Sequence, residues 1–421
     1  MRFVVDPTWQ RFGGVVVAGS PIRLFRLTSA GTEIARALEL GADVAPSGLT
    51  DRWLDAGAIH PDPHHLEPGP FVAGDVTVVT PQLGGGPAPT GRIVVDDGSA
   101  PPIPGATLRL PSNRGPAAAR NAGAALVDTP IIAFVDADVE IIGDPVAHLT
   151  ALLGHFHDPR VALVAPRVGG EARSPLDMGP TPARISAGTR VSYVPGAVIL
   201  VRRAAFEAIG GFDDTLRFGE DVDLVWRLEQ AGWRCRYDPS VVVEHRPRPD
   251  VVARLRQHAD YGSSAAPLAL RHPGRLAPFR SNGWTAAMWA LVLLGRPLAG
   301  AAVGLGSAAA LVPKLPDVPP RAALGLAVRG HVASGGQLAT AVRRAWWPLA
   351  AVAALGSKRG RRWGLLALAL GGRSTVTDLA YGWGVWRGVL RHRTVDPLLP
   401  SLSRWPPRRA SDPSHLRRPT P

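Results

Sequence analysis

Gly219-Glu220-Asp221-Val222-Asp223-Leu224-Val225-Trp226-Arg227-Leu228 opens on a glycine and two adjacent acids, then takes on the apolar spacing of a helix. About eighty residues earlier, Ile131-Ile132-Ala133-Phe134-Val135-Asp136-Ala137-Asp138-Val139 reads as a buried strand closed by two carboxylates. Asp136 and Asp138 are a candidate site for a divalent cation, because hard cations with oxygen ligands commonly share their shell with substrate phosphates. Glu220 and Asp221 form a second acidic site, able to take a proton from an attacking hydroxyl. The partial positive charge of a helix start is expected to keep Asp221 ionised. Arg227 lies on the same predicted helix, whose buried face is Leu224, Val225, Leu228 and Ala231. It suits a solvated ion pair or a diphosphate contact equally.

The flanking sequence extends the pattern. Val76-Thr77-Val78-Val79, closed by Thr80-Pro81, and Ile93-Val94-Val95, closed by Asp96-Asp97-Gly98-Ser99, read as buried parallel strands. Ligands of open α/β sheets bind beyond the carboxyl ends of the strands, so Asp96 and Asp97 are expected to face a nucleoside. Asn113-Arg114-Gly115-Pro116-Ala117-Ala118-Ala119-Arg120-Asn121-Ala122-Gly123 is a glycine turn entering a helix of small residues. Such a helix can lie close under a ligand, with Arg120 available to a phosphate. His245 follows Val241-Val242-Val243-Glu244 and precedes Arg246-Pro247-Arg248. An imidazole there is a further candidate metal ligand or phosphate contact, against a purely structural histidine.

Taken in order, the five motifs at 76–79, 95–99, 114–123, 136–138 and 219–221 resemble the family 2 glycosyltransferases of the GT-A fold over roughly residues 74–250. The resemblance implies an α/β fold with a mixed, mostly parallel sheet between helices. It also implies a nucleotide-sugar donor, usually a UDP-sugar, a Mg²⁺ or Mn²⁺ ion, and inversion at the anomeric carbon. By the same resemblance Asp97 contacts the nucleoside, Asp138 is a metal ligand and Asp221 the catalytic base. Ser174-Pro175-Leu176-Asp177-Met178-Gly179-Pro180, Arg190-Val191-Ser192-Tyr193-Val194-Pro195 and Tyr261-Gly262-Ser263-Ser264-Ala265-Ala266-Pro267-Leu268 resemble the branch of that family acting in mycofactocin maturation. That implies UDP-glucose as donor and a peptide-derived redox cofactor precursor as acceptor. One departure stands out: only Gln82 to Gly91 separate the first two strands, where relatives carry a full helix and a parallel crossover needs a dozen residues or more. A non-catalytic, membrane-associated scaffold on a decayed transferase fold is therefore a second reading, and a lipid or polysaccharide acceptor a third.

The remaining sequence divides by composition. The chain has 421 residues, 46% of them hydrophobic, enough for two or three domains. Its one cysteine, Cys235, excludes an intrachain disulfide framework and a cysteine-based zinc cluster. Residues 1–70 are expected to form a small separate domain. Gly14 to Ala18 and Pro21 to Leu27 read as paired strands, with one helix capped by Thr28 and a second from Leu49 to Ala56. This piece resembles the PqqD-type winged-helix domains that hold precursor peptides.

Charge separates the two halves of the chain. Residues 241–421 hold 26 Lys and Arg against 7 Asp and Glu, whereas residues 1–240 hold 21 against 27. Uncharged runs at 281–295, 297–313, 345–357 and 363–372 flank Arg296 and the cluster Lys358-Arg359-Gly360-Arg361-Arg362. Basic residues beside Trp346, Trp347 and Trp363 fit an anionic membrane surface better than nucleic acid. Residues 251–395 are thus expected to be helical, basic and membrane-associated, with spanning left open because no uncharged run reaches the roughly 20 residues required. Residues 396–421 are expected to be disordered. No signal peptide is visible, which points to the cytoplasmic face of the cell membrane.

Overall fold

The computed structural model describes residues 2–66, 69–141, 144–169, 176–245 and 250–403. Ser174 and Pro175 of the quoted segments, the Arg246-Pro247-Arg248 run and the tail from Arg404 lie outside these. The chain forms two compact units, residues 1–249 and 250–421.

The first unit begins with β1 (Phe3–Val5), β2 (Gln10–Phe12), β3 (Val15–Ala18), β4 (Arg23–Arg26), α1 (Ser29–Glu39), α2 (Gly48–Ala56) and β5 (Ile59–Pro61). β2, β3 and β4 form an antiparallel sheet, and β1 pairs with β5. Thr28 caps α1 by accepting from Gly31 N, and Ser47 caps α2 by accepting from Thr50 N, each satisfying an orphan helix donor. Phe3, Val16, Ala35, Leu38, Trp53 and Ile59 build a core of their own. Ion pairs tie this piece to the rest of the unit: Arg234 reaches Asp55 of α2 at 2.7 Å and Asp158 at 2.7 Å, and Arg160 pairs with Asp51.

The chain continues through β6 (Val76–Gln82), β7 (Ile93–Asp96), β8 (Leu108–Arg109), α3 (Pro116–Ala124), β9 (Ile131–Val135), β10 (Val139–Glu140) and α4 (Pro145–Leu149). β11 (Val161–Gly169), β12 (Ala183–Arg184), β13 (Val198–Arg202), α5 (Arg203–Ala208), α6 (Glu220–Gln230) and β14 (Arg234–His245) complete it. The sheet is mixed, with path β10-β14-β11-β13-β9-β6-β7-β8 and β12 on β14. β9 lies between parallel β6 and antiparallel β13, which is why all five of its residues are apolar and buried. One of its faces, Ile131, Ala133 and Val135, packs with Val76, Leu152 and Phe156. On the other face Phe134 meets Phe206 and Phe212, at 5.4 and 5.2 Å between ring centroids. Small residues bring α3 onto β6 and β7: a Cβ on Gly123 would lie 2.4 Å from Val79 Cγ1 and 3.0 Å from Val95 Cγ2.

Residues 83–92 contain no helix, as the short spacing implies, and the register shows how so brief a crossover closes. β7 pairs only with the end of β6, from Val79↔Ile93 to Gln82↔Asp96. The chain therefore climbs back about 10 Å, three strand residues, rather than a full strand length. Gly84 (φ 67°) and Gly85 (φ 87°) make the reversal, Gln82 Nε2 donates to Gly86 O at 2.9 Å, and Gly84 N donates to Ser99 Oγ at 2.8 Å.

The second unit is helical: α7 (Val251–Ser263), α8 (Ala265–Arg271), α9 (Gly283–Leu293), α10 (Pro297–Leu311), α11 (Pro320–Arg344), α12 (Trp347–Gly356), α13 (Lys358–Gly371) and α14 (Thr375–His392), with β15 (Arg280–Asn282) and β16 (Ser401–Ser403). Glycines let α7 and α14 touch, since a Cβ on Gly388 would lie 2.6 Å from Ser263 O. Asp378 receives both Arg343 and Arg344, at 2.8 and 2.7 Å. The expected disorder from residue 396 starts too early: β16 pairs parallel with β15, and Trp346 Nε1 donates to Leu398 O at 2.8 Å. Backbone pairing and an indole donor hold a segment whose composition alone reads as unstructured. Among the described residues no helix is long and apolar enough to cross a membrane.

Candidate active site

Four elements converge beyond the carboxyl end of β9. Arg120 of α3 is buried at the centre, its guanidinium 5.4 Å from the centroid of the Phe212 ring. Its Nη1 donates to Glu220 Oε1 at 2.8 Å, and its Nη2 donates to Asp136 Oδ1 at 2.6 Å and to Gly196 O at 3.3 Å. Asn121 fixes the ring beneath it by accepting from Phe212 N and donating to Phe212 O. Gly196 lies tightly against the guanidinium, since a Cβ there would sit 3.1 Å from Arg120 Nη2 and press on it. That close approach lets Gly196 N donate to Asp221 Oδ2 at 3.0 Å while Val222 N donates to Oδ1 at 2.8 Å.

Burial dominates the electrostatics. It pushes Asp136 up to about 6, with Arg120 opposing and Asp138 and Glu220 reinforcing the rise. Glu220 is raised by burial and then by Asp221, with Arg120 opposing. Burial works against the charge on Arg120 too, but Asp136 and Glu220 outweigh it and hold the guanidinium protonated. Asp221 feels a second influence beside the helix start. It lies at the start of α6, yet burial raises it despite the Gly196 and Val222 N–H groups and Arg120. Burial disfavours the charged form of a carboxyl, and here it is the largest cause.

Asp138 stands apart from this cluster. The turn after β9 exposes it, its side chain retaining 53% accessibility, and Oδ2 lies 3.2 Å from His245 Nε2. The β10–β14 ladder, with Val139 opposite His245, makes that meeting. Among the described residues no group of three or more His, Cys, Asp or Glu side chains could hold a metal. A Mg²⁺-type ion is usually held through one or two carboxylates, with waters and substrate oxygens filling the shell, so the exposed Asp138 fits such an ion, and the His245 imidazole beside it is a softer donor.

The other expected site residues have partners within the fold. Asp96 does not face a ligand: it is wholly buried and accepts from Ser99 N at 2.8 Å and Ile103 N at 3.1 Å, bracing its own loop. Asp97 accepts from Arg114 N at 2.7 Å and Gly115 N at 2.8 Å, anchoring the turn into α3. Arg120 is enclosed by acids and unavailable to a phosphate. Arg227 is a structural clamp, donating to Asp223 Oδ2 at 2.6 Å, Ile209 O at 2.8 Å and Gly211 O at 2.7 Å. Sequence reading missed Gly196 and the Asn121–Phe212 clasp. Pro195-Gly196 directly before the apolar strand is the turn signal that could have drawn attention to the first.

Two family models match the chain: glycosyl transferase family 2 over residues 92–209 and glycosyl transferase family group 2 over residues 177–369. The pre-mycofactocin glycosyltransferase of Mycobacterium tuberculosis is 38% identical over 93% of this chain and 95% of that protein. The chain belongs to the family 2 glycosyltransferases. As a member it is a glycosyltransferase of the GT-A fold. The glycosyltransferase is also 29% identical to the succinoglycan biosynthesis protein ExoA of Rhizobium meliloti, over 46% of this chain and 47% of that one. A mannosyltransferase of Pyrobaculum calidifontis, solved with GDP-mannose and Mn²⁺, aligns over 82% of this chain and 92% of that one at 18% identity, with a TM-score of 0.44. That likeness is too distant to bear on this site.

Proposed function

We propose that this glycosyltransferase moves glucose from UDP-glucose to a peptide-derived redox cofactor precursor in mycofactocin maturation, inverting the anomeric carbon, with Asp221 as the base. The observation that carries the base assignment is the Asp221 carboxylate. Each oxygen accepts one backbone N–H and keeps a further lone pair, and burial raises its proton affinity toward what proton abstraction needs. Glu220 and Asp136 are fixed on Arg120 and act as positioning residues. Asp138 and His245 would hold the Mg²⁺ or Mn²⁺ ion. When bound, that ion offsets the charge that builds on the leaving diphosphate. Asp97 supports the nucleoside side by anchoring the Gly115 turn.

The acceptor identity rests on the 38% identical relative, whose own name gives its acceptor, and UDP-glucose on the sequence resemblance alone. The N-terminal piece is the proposed holder of the peptide. Attachment to the cytoplasmic membrane surface rests on the second unit. No residue of α12 is buried, with Leu349, Val352 and Leu355 from 63% to 89% exposed, and Lys358, Arg359, Arg361 and Arg362 follow at once on α13.

The test is incubation of the full chain with Mg²⁺ or Mn²⁺, a panel of nucleotide sugars and the synthetic peptide-derived acceptor. UDP release from UDP-glucose with a hexose added to the acceptor, β-configured by NMR, is expected. A folded protein that releases nucleotide from no donor would return the scaffold reading, and transfer only to lipid extract would replace the acceptor. Co-sedimentation with anionic but not zwitterionic vesicles checks the membrane component.

A further inference from the structure

Arg190 lies far from the acid cluster in sequence, on the segment that leads to Gly196. Its Nη2 donates to Asp6 Oδ2 at 2.9 Å and to Pro182 O at 2.7 Å, while its backbone N donates to Ser20 Oγ at 2.7 Å. Both of those side-chain partners belong to the N-terminal piece. Asp6 is itself rigidly held: Oδ2 meets His60 Nε2 at 3.0 Å, and Oδ1 accepts from Thr8 N at 3.0 Å and Thr8 Oγ1 at 2.6 Å. Its side chain is fully buried.

From Arg190 the chain is a tight turn. Thr189 N donates to Ser186 O at 3.1 Å, Ser186 N donates to Val191 O at 3.1 Å, and Ser192 Oγ donates to Thr189 O at 3.1 Å. Trp226, on the helix that bears Asp221, donates its indole N–H to Ser192 O at 2.8 Å. Four residues beyond Ser192 is Gly196, donor to Asp221 and acceptor from Arg120. Hydrogen bonds from Asp6 to Ser192, and then the short stretch of chain from Ser192 to Gly196, thus connect the N-terminal piece to the groups that orient Asp221.

We infer that Asp6, Ser20 and Arg190 are positioning residues for the base, so that the N-terminal piece forms part of the catalytic apparatus in addition to any role in holding an acceptor. This rests on Asp221 being the base. Loosening Arg190 lets the 186–196 segment drift and weakens the Gly196 N–H bond to Asp221. That bond lowers the proton affinity of Asp221, whose charged surroundings are Glu220 on its own helix, Arg120 of α3 and Asp136 after β9. Weakening it therefore misaims the base and moves its titration further up.

The experiment uses the full chain with UDP-glucose, or the donor that the panel returns, and the peptide-derived acceptor. Arg190→Gln should lower kcat by roughly tenfold, the scale of one hydrogen bond to a charged group. KM for the nucleotide sugar should stay within about twofold, since differential loss in kcat marks an interaction made in the transition state. The acidic limb of the kcat profile should move to higher pH, and Arg190→Lys, which keeps a cation for Asp6, should recover part of both changes. If Arg190→Gln does not fold by circular dichroism, Ser20→Ala, expected to lose about two- to threefold, decides by the same readouts. A dead Asp221→Asn beside an Arg190→Gln enzyme, or Ser20→Ala in its place, with unchanged kcat and limb would overturn the brace alone. An Asp221→Asn variant at full turnover would overturn the base assignment and this inference together.

Discussion

Two acid pairs end strands on either side of β6, Asp96-Asp97 at the end of β7 and Asp136-Ala137-Asp138 after β9, and the fold treats them in opposite ways. The first pair is turned inward, its oxygens occupied by the N–H groups of Ser99, Ile103, Arg114 and Gly115. The second is divided: Asp136 is bound by Arg120, and Asp138 faces outward beside His245. An acid at a strand end therefore marks where loops gather, while the supply of nearby donors decides whether its charge serves the fold or a ligand. Backbone N–H groups make a brace. A guanidinium shared between acids makes an oriented cluster, in which burial raises the acids' proton affinities against the guanidinium's opposing charge.

The largest effect is expected at Arg120. Arg120→Met removes a buried cation and leaves Asp136 and Glu220 without it, a change that costs about 3–5 kcal/mol when one side of a buried ion pair is lost. Urea unfolding at neutral pH measures it, and a loss below about 1 kcal/mol would show that the acids do not depend on Arg120.

Next comes Asp221→Asn, expected to lower turnover by about 10²-fold or more while leaving donor affinity near normal. Its pH behaviour carries a sign. Because the folded proton affinity of Asp221 is raised, the wild-type enzyme should lose activity as pH falls at a point above the ordinary carboxylate value of about 4. The same shift means that this group's contribution to stability is fully present at low pH and is lost as pH rises through the raised value. Asp221→Asn should then melt no lower than wild type at pH 7, so a marked drop in its Tm there would contradict the raised value.

Asp96→Asn tests the inward pair. Its cost should be about 1–3 kcal/mol, that of a buried acceptor leaving its donors poorly satisfied, with KM for the donor unchanged below the melting range. A selective rise in KM at full stability would restore Asp96 to the nucleoside site.

Much of this was legible in the sequence, and the part that was not has a common cause. The run Ile131 to Val135, the small residues of α3 and the ten-residue crossover each depend on local pattern, and each is found as read. Local spacing assigns a residue to an element and to one of its ends. It does not disclose partners that arrive from far along the chain: Arg120 meets Glu220 across 100 positions and Arg190 meets Asp6 across 184. For the same reason the helix start beside Asp221 is visible locally, whereas the burial that raises its proton affinity comes from the surrounding elements. The premature disorder assigned from residue 396 follows suit, since the strand partner of Ser401–Ser403 is Arg280–Asn282, more than a hundred residues away.

The smallest effect belongs to an ion pair that distance alone would rank with the strongest. Arg114 Nη2 lies 2.7 Å from Asp214 Oδ2, close to the 2.6 Å between Arg120 and Asp136. What separates the two is solvent. The Arg114 and Asp214 side chains are 55% and 42% exposed, whereas Arg120 is 3% exposed. Water screens the first pair, and holding two mobile side chains together costs conformational entropy, so exposed pairs of this kind contribute only about 0–1 kcal/mol. Asp214→Asn should therefore lower stability by less than about 1 kcal/mol and leave turnover within about twofold, and the small loss should shrink further in about 1 M salt. Arg114 also presents the backbone N–H that Asp97 accepts, and that bond does not need the guanidinium. A loss above about 2 kcal/mol, or one insensitive to salt, would mean that Asp214 acts through the Gly115 turn, and the outward and inward charges would then differ less than their exposure implies.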